Sequence, residues 1–259
     1  MEHAVAFESQ MPSYQTFTNA PITEALLDIQ VMLPEGTTFE ALEPFCEVIS
    51  SQYPNRRFRK EWRAEIGMSE DGGPFAAAPE GGVVGFLLTS ADGSQIAQAR
   101  VNGFSFSRLR PYQDWATMQK EAQRLWEVYL QVAKPTSIER IALRYINRLE
   151  LPLPFSDFKE FVRTAPDIAP GLPQALSHFL MQLQIPSPDN EAIAIITETI
   201  EKPIGDPPVL PFILDIDAVS KRRLEPTDSS LWERFEKLHA WKNQIFFESI
   251  TDKTVELFL

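Results

Sequence analysis

The chain of 259 residues contains one cysteine, three histidines and no long hydrophobic run, and each shortage excludes a class of protein. Its single cysteine, Cys46, can form neither an intrachain disulfide nor a cysteine-rich metal site, and it fits a reducing compartment. The histidines lack the spacing of a zinc site. No segment approaches the roughly 18 consecutive apolar residues of a membrane-spanning helix.

Basic residues are also in deficit. The chain has 24 Lys and Arg against 36 Asp and Glu, a net charge of −12, which disfavours nonspecific binding to nucleic acid or to an anionic membrane. Residues 1–18 include Glu2 and Glu8 and have no continuous apolar stretch, so we expect a flexible leader rather than a secretion signal. Together these features predict a soluble, cytoplasmic protein with no membrane contact.

The common enzyme motifs are missing as well. The sequence has no P-loop, no dinucleotide-binding G-x-G-x-x-G and no G-x-S-x-G nucleophile elbow. Cys46 shares an apolar helix face with Phe45 and Ile49, which predicts a buried, inert thiol. No cofactor is expected. A non-catalytic protein is therefore preferred, although an enzyme built from scattered Asp, Glu, Arg and Tyr residues would escape a motif search.

What the chain does contain is an internal similarity. The segment ITEALLDIQVMLPEGTTFEAL from Ile22 and the segment IERIALRYINRLELPLPFSDFKEF from Ile138 both read as a strand, a proline stop and the start of an amphipathic helix. Three pairs of landmarks keep an offset of 115 to 118 residues: Pro34 and Pro152, Pro111 and Pro226, Trp115 and Trp232. A nearly constant offset indicates an internal duplication.

Each half predicts the order β-α-β-β-β-α. The first repeat, residues 19–136, has predicted strands at Ile22–Leu33, Arg56–Met68, Val83–Ser90 and Gln95–Leu109, with a hairpin turn at Ala91-Asp92-Gly93. Its helices are predicted to begin at Thr37 or Thr38 and at Asp114. The second repeat, residues 137–259, has predicted strands at Ile138–Leu151, His178–Ile185, Ala192–Ile200 and Phe212–Val219, and helices at Phe155–Val162 and from Asp228. In the last helix Leu231, Phe235, Leu238, Trp241 and Ile245 are expected to face inward.

No flexible linker separates the repeats, so they predict one fused, two-lobed α+β domain. The most economical arrangement is a mainly antiparallel sheet with the long helices packed on one face. The other face would then be open.

The motifs LRYINR (143–148) and WKNQIFFESITDKTVELF (241–258) carry a resemblance to a known family. The segments APITEALLDIQV and GFSFSRLRPYQDW extend it over most of the chain. The family that the chain resembles is a sporadically distributed bacterial family of uncharacterised proteins of about this length. The resemblance brings no activity, cofactor or catalytic residue with it. Sporadic occurrence implies an accessory role, such as defence or mobile-element biology, rather than central metabolism.

The strongest local pattern is a set of arginine rows on predicted strands. Side chains alternate along a strand, so Arg140, Arg144 and Arg148 share one face. Arg57 and Arg63 form a second row, and Arg100 and Arg108 are expected to share a face of the strand Gln95–Leu109. If the rows meet on the open face, their guanidinium groups suit a carboxylate or phosphate ligand. Cross-strand ion pairing with neighbouring Asp and Glu residues is the alternative explanation.

Asp215 and Asp217 share one face of the last predicted strand. Two carboxylates can hold a divalent cation if a third oxygen ligand joins them, and Glu198 and Glu201 are the candidates nearest in sequence. A single D-x-D pattern is weak, so no metal site is assigned and charge pairing with the arginines is preferred.

These observations support three hypotheses. The first is a non-catalytic binding protein that uses the open sheet face for an anionic small molecule or an acidic protein surface. The second is an enzyme with a scattered carboxylate site near Asp215 and Asp217. The third, which the net charge disfavours, is nucleic-acid binding by a saddle-like sheet. The uncovered face could equally form a homodimer contact.

Overall fold

A computed structural model of the protein describes residues 15, 17–63, 66–68, 74–76, 80–206 and 208–259, and between residues 62 and 80 it describes backbone only. Most of the predicted leader, residues 1–18, lies outside these ranges. In the described part of the chain, no helix has the length and apolar character needed to cross a membrane.

The fold is α+β and is built on a nine-stranded sheet in which every neighbouring pair is antiparallel, as predicted. Its strands in chain order are β1 (Ile22–Met32), β2 (Asn55–Arg63), β5 (Glu80–Thr89), β6 (Gln95–Arg100), β7 (Gly103–Leu109), β8 (Ser137–Pro152), β9 (Leu180–Pro186), β10 (Ile193–Ile200) and β11 (Val209–Ser220). A separate hairpin pairs β3 (Ile66–Met68) with β4 (Pro74–Ala76). The order across the large sheet is β2-β5-β6-β7-β1-β8-β11-β10-β9.

Four α-helices accompany the sheet in the described ranges: α1 (Glu43–Ile49), α2 (Trp115–Ala133), α3 (Leu231–Ser249) and α4 (Asp252–Val255). Short 3₁₀ turns occupy Phe39–Leu42, Phe158–Glu160 and Glu256–Phe258. Helix α2 begins after Asp114, as its sequence predicts, because the Asp114 carboxylate accepts a hydrogen bond from the backbone N–H of Thr117 at 2.7 Å.

The predicted strand Gln95–Leu109 is wrong, because the chain turns back within it. Residues 101–102 form a tight turn between β6 and β7, and Gly103 follows with φ +154°. A Cβ atom at Gly103 would lie 2.3 Å from the carbonyl oxygen of Ile29, so only glycine fits this approach of β7 to β1. The turn restarts the alternation of side chains, which places Arg100 and Arg108 on opposite faces of the sheet.

Two further predicted elements are shorter than expected. Of the predicted strand Arg56–Met68, the described residues belong to β2, in the large sheet, and to β3, in the separate hairpin. The helix Phe155–Val162 is only a 3₁₀ turn, because beyond it the backbone pairs with the end of α3: Arg163 N–H donates to Ser249 at 2.8 Å and Thr251 N–H donates to Phe161 at 3.0 Å. By contrast, the hairpin turn predicted at Ala91-Asp92-Gly93 is confirmed between β5 and β6.

The two faces of the sheet differ in chemistry. One face, which we name the arginine face, carries Arg140, Arg144 and Arg148 of β8. The other, which we name the apolar face, carries Leu143, Tyr145 and Leu149, all fully buried. On the apolar face Phe104 of β7 packs against Trp126 and Tyr129 of α2, with ring centroids 6.0 and 5.8 Å apart. Tyr145 lies beneath α3. The apolar face therefore forms the core.

Candidate functional site

The arginine face is an array of cross-strand ion pairs. Asp28 of β1 is buried and is shared by two arginines: Arg100 of β6 contacts one carboxylate oxygen, and Arg140 of β8 reaches the other at 3.0 Å. Arg140 also lies 3.6 Å from Asp217 of β11. A single buried carboxylate thus links strands on both sides of β1.

Arg144 is bound as a fork by Asp215. Its Nε lies 2.9 Å from Oδ1 and its Nη2 lies 2.5 Å from Oδ2. These hydrogen bonds raise the pKa of Arg144. Arg148 lies 3.2 Å from Glu201 and 3.8 Å from Glu150. The three arginines of β8 therefore make cross-strand ion pairs, which was the alternative explanation offered by the sequence.

Only part of the predicted arginine set comes together. Arg100, Arg140, Arg144 and Arg148 lie on the arginine face near its centre, but Arg57 and Arg108 do not join them. Arg57 is on the same face, exposed on β2, five strands from β8, or about 24 Å at roughly 4.8 Å per strand. The side chain of Arg63 lies outside the described residues. Arg108 pairs with Ala25 in register on the apolar face, because the β6–β7 turn reverses its parity.

Asp215 and Asp217 lie on the arginine face as predicted, but Glu198 cannot join them. It pairs with Leu214 on the apolar face, where it is 2% exposed and burial raises its pKa to about 7. Glu201 is engaged with Arg148. In the described ranges, no group of three or more His, Cys, Asp or Glu side chains is placed to hold a metal ion.

A concave site lies on the other side of the sheet, the side of the apolar face. A cavity of about 830 Å³ is enclosed by residues before β1, the segment leading into α2, the turn between β9 and β10, and one side of α3. Its walls include Phe17, Ile22, Tyr112, Trp115 and Trp241. A volume of this size suits a small organic molecule.

Lys242 of α3 lines this cavity and is the unusual group in it. The residue is 6% exposed, and its Nζ lies 3.7 Å from the centroid of the Tyr145 ring and 2.5 Å from the Oδ1 of Asn243. No carboxylate of a described residue lies within 4 Å of it. Burial lowers the pKa of Lys242 to about 7. The cavity therefore holds an amine whose charge has no counter-ion among the described residues.

Aromatic and phenolic groups surround this amine. The hydroxyl groups of Tyr112 and Tyr145 lie 2.8 Å apart, and burial raises the pKa of both phenols. His239, one turn before Lys242, stacks on Trp115 with ring centroids 4.6 Å apart. Burial, and then the charge of Lys242, lowers the pKa of His239 to about 3, so its imidazole is neutral at pH 7.

Three other charged groups that line the cavity have partners. Arg234 lies 3.4 Å from Glu191, and Lys237 lies 3.3 Å from Glu233. Asp189 accepts hydrogen bonds from Ser187 and from the backbone N–H of Glu191, and the Ser187 bond is the main cause of its lowered pKa. Unlike these three groups, Lys242 has no counter-ion among the described residues.

Sequence reasoning missed Lys242, although a signal was present. The apolar residues of α3 were expected to face inward, and Leu231, Phe235 and Leu238 are indeed buried. Lys242 continues that stripe four residues after Leu238 and seven after Phe235, so a lysine stands where the helix period requires an apolar residue. The predicted burial of Cys46 is confirmed, and desolvation raises the pKa of its thiol to about 11.

Comparison with protein-family models and with curated proteins finds no match to this chain. The geometry of the site is therefore what supports a functional assignment.

Proposed function

We propose that the protein binds a small molecule that has an apolar, ring-containing body and an anionic group. The ligand occupies the cavity between the start of α2 and α3, with its anionic group directed toward Lys242. The observation that carries this proposal is the buried Lys242 ammonium, which lines a cavity of about 830 Å³ and has no carboxylate partner among the described residues.

The energetics favour an anionic ligand. Burial without a partner disfavours the charged form of a lysine, and a hydrogen bond to a charged group contributes about 1.5–3 kcal/mol. A ligand carboxylate, sulfonate or phosphate would supply the missing counter-charge. The aromatic walls would remove the rest of such a molecule from water, a contribution of roughly 25 cal/mol per Å² of apolar surface.

The arginine face offers less to an anion. The guanidinium groups of Arg140, Arg144 and Arg148 already bind carboxylates of the same face. An incoming anion would have to displace Asp28, Asp215 or Glu201 before it gained a hydrogen bond. The class of function predicted from the sequence, recognition of an anionic small molecule, is retained, and the proposed site moves to the cavity.

We further propose that the two halves are copies of one unit with the long helices on a shared sheet face. The pairing of the strands supports this proposal. In each half the first strand pairs with the last, β1 with β7 and β8 with β11, and β1 pairs with β8 at the join. The cavity would then lie where the two copies meet, since its walls come from the segment before α2 in the first and from α3 in the second.

Two fluorescent probes with the same ring system test the charge requirement. The sulfonated probe 8-anilinonaphthalene-1-sulfonate carries the anion, and N-phenyl-1-naphthylamine lacks it. We expect the sulfonated probe to bind the wild type, and Lys242→Met to weaken that binding about 10- to 100-fold, the loss of one charge-assisted hydrogen bond. The neutral probe should bind both proteins alike.

The matched control is Lys120→Met, because Lys120 is an exposed lysine of the other long helix and does not line the cavity. It should bind the sulfonated probe like the wild type. If the wild type binds both probes equally, or if Lys120→Met loses as much affinity as Lys242→Met, the proposal is wrong.

A further inference from the structure

We propose that Lys242 is also an amine nucleophile, which captures the carbonyl group of a small aldehyde or ketone in the cavity as a reversible imine. This inference rests on the proposed function in one respect, since it needs the same cavity to admit a ligand. It adds a covalent activity that binding alone does not require.

The surroundings of the amine carry the argument. Only an unprotonated amine attacks a carbonyl carbon, and desolvation in an apolar pocket is a recognised way to expose that form. Lys242 is buried, its Nζ touches a ring and an amide oxygen rather than a carboxylate, and it lines a cavity wide enough for a substrate. A carboxylate beside it would hold the proton on the amine, and no described residue supplies one within 4 Å.

The lowered pKa of Lys242, about 7, agrees with this geometry, because it leaves a large share of the amine unprotonated near pH 7. An ordinary lysine, with a pKa near 10.4, has well under 1% of that form. The neighbouring imidazole of His239 is neutral, so it adds no second positive charge that would compete for the ligand.

A proton donor lies beside the amine. Tyr145 carries both the ring beneath Nζ and a hydroxyl bonded to the Tyr112 hydroxyl at 2.8 Å. Burial raises the pKa of both phenols, so they stay protonated. We assign this pair as the local source of the proton that the departing oxygen needs.

The chemistry balances without an oxidant or a reductant. The lone pair of Nζ forms a bond to the carbonyl carbon while the C=O π electrons move to oxygen. A proton passes from nitrogen to that oxygen, which gives a neutral carbinolamine. Protonation by the phenol pair lets the hydroxyl leave as water while nitrogen forms the C=N bond, and nitrogen then releases its last proton to restore the phenol. One amine and one carbonyl give one imine and one water.

Borohydride trapping tests the inference directly. The wild type is incubated at pH 7 with 2-naphthaldehyde, reduced with sodium cyanoborohydride and mapped by peptide mass spectrometry. Lys242 should carry the naphthylmethyl adduct, at a level at least about tenfold above exposed lysines such as Lys120, because of its larger unprotonated fraction. Prior addition of 8-anilinonaphthalene-1-sulfonate should suppress that adduct.

The variant Lys242→Arg separates the covalent activity from binding. Arginine keeps the positive charge but has no amine that forms an imine under these conditions, so this variant should bind the sulfonated probe and give no adduct at residue 242. Circular dichroism of each variant confirms that it is folded.

The outcomes are distinct. If the sulfonated probe binds in a Lys242-dependent way while trapping labels all lysines alike, or labels none, the imine inference is overturned and the proposed function stands. If Lys242 is labelled selectively but no anionic probe depends on it, the covalent activity stands and the anion-binding function is wrong. If the sulfonated probe does bind through Lys242 but does not suppress its labelling, the reacting amine lies outside the shared cavity and the inference is overturned.

Discussion

At the residue scale, buried charged side chains of the protein differ in whether they have an ionic partner. Asp28, on the arginine face, is buried and has two arginine partners. Lys242, on the side of the apolar face, is equally buried and has no ionic partner among the described residues. Desolvation without compensation lowers stability, and such groups are concentrated at functional sites. This contrast is why Lys242, rather than the arginines, marks the candidate site.

We therefore expect Lys242→Met to stabilise the protein at pH 6, by on the order of 3 kcal/mol. The lowered pKa, about 7 against an ordinary 10.5, corresponds to a penalty of about 5 kcal/mol, and the cation–π contact with Tyr145 offsets about 2 kcal/mol of it. Methionine has a similar length and needs no partner. Urea unfolding of the two proteins at pH 6 measures the difference.

The stability gained through Lys242→Met should depend on pH. Between pH 7 and 10.5 the unfolded wild type binds one proton more than the folded protein, so its free energy of unfolding rises with pH in this window, and the advantage of Lys242→Met shrinks. Lys242 contacts the ring of Tyr145, which is hydrogen-bonded to Tyr112, and both phenols have raised pKa values. His239, one turn before Lys242, has a pKa below the window, and Glu236 acts on Tyr145. If Lys242→Met is less stable than the wild type at pH 6, the charge is not a cost to the fold.

At the element scale, strand register decides what the sheet faces carry. The fork between Arg144 and Asp215 ties β8 to β11, and Asp28 ties β1 to both β6 and β8. These contacts join strands that lie far apart in the chain, so they strengthen the sheet as a unit. We therefore interpret the ion pairs of the arginine face as contacts that stabilise the sheet.

Arg144→Ala should lower the free energy of unfolding by about 1–3 kcal/mol, because it leaves the nearly buried Asp215 carboxylate without its two-point partner. The control is Arg57→Ala, an exposed arginine of the same face with no ion pair to a described residue, which should cost under about 0.5 kcal/mol. The double variant Arg144→Ala, Asp215→Ala should recover part of the loss.

Binding of 8-anilinonaphthalene-1-sulfonate provides the second readout for Arg144→Ala. It should be unchanged, since Arg144 lies on the sheet face away from the cavity. Equal stability of Arg144→Ala and Arg57→Ala, or loss of probe binding in Arg144→Ala alone, would instead support the arginine face as a ligand site.

The secondary-structure elements show how much of the fold could be predicted from the sequence alone. Period-two patterns predicted β1, β8, β10 and β11 closely, because each buries one face along its whole length. The turn before Gly103 was not predicted, because the alternation of side-chain types in the sequence Gln95–Leu109 continues through the two turn residues. What requires glycine there is a backbone contact with Ile29, distant in the chain, and no local pattern shows it.

The candidate site was less predictable than the fold. Its walls come from segments that are separated by more than a hundred residues, such as Tyr112 and Lys242, and only the tertiary structure brings them together. A lysine in the apolar stripe of α3 was a visible signal, but its meaning depends on the absence of a nearby carboxylate. Among the described residues, that absence is a property of packing and not of spacing.

At the scale of the whole molecule, the join between the halves is a continuous part of the core. Strands β1 and β8 pair from Ile22 to Met32 at the middle of the sheet, and Leu27 and Leu143, paired across the join, are both fully buried. Neither half encloses the cavity alone, since its walls include Trp115 from one and Lys242 from the other. Structure and proposed site therefore both depend on the two halves together.

We expect the chain to unfold as one cooperative unit, because separating the halves would expose the full length of β1 and β8 as unpaired edges with their buried leucines. Urea transitions followed by circular dichroism and by tryptophan fluorescence should coincide, since tryptophans lie in both halves: Trp62, Trp115 and Trp126 in the first, Trp232 and Trp241 in the second.

Segments 19–136 and 137–259 produced separately should each lack a cooperative transition, and mixing them should restore binding of 8-anilinonaphthalene-1-sulfonate if they reassemble. A half that unfolds cooperatively alone, or two separate transitions in the whole chain, would instead show two independent domains, with the cavity between them.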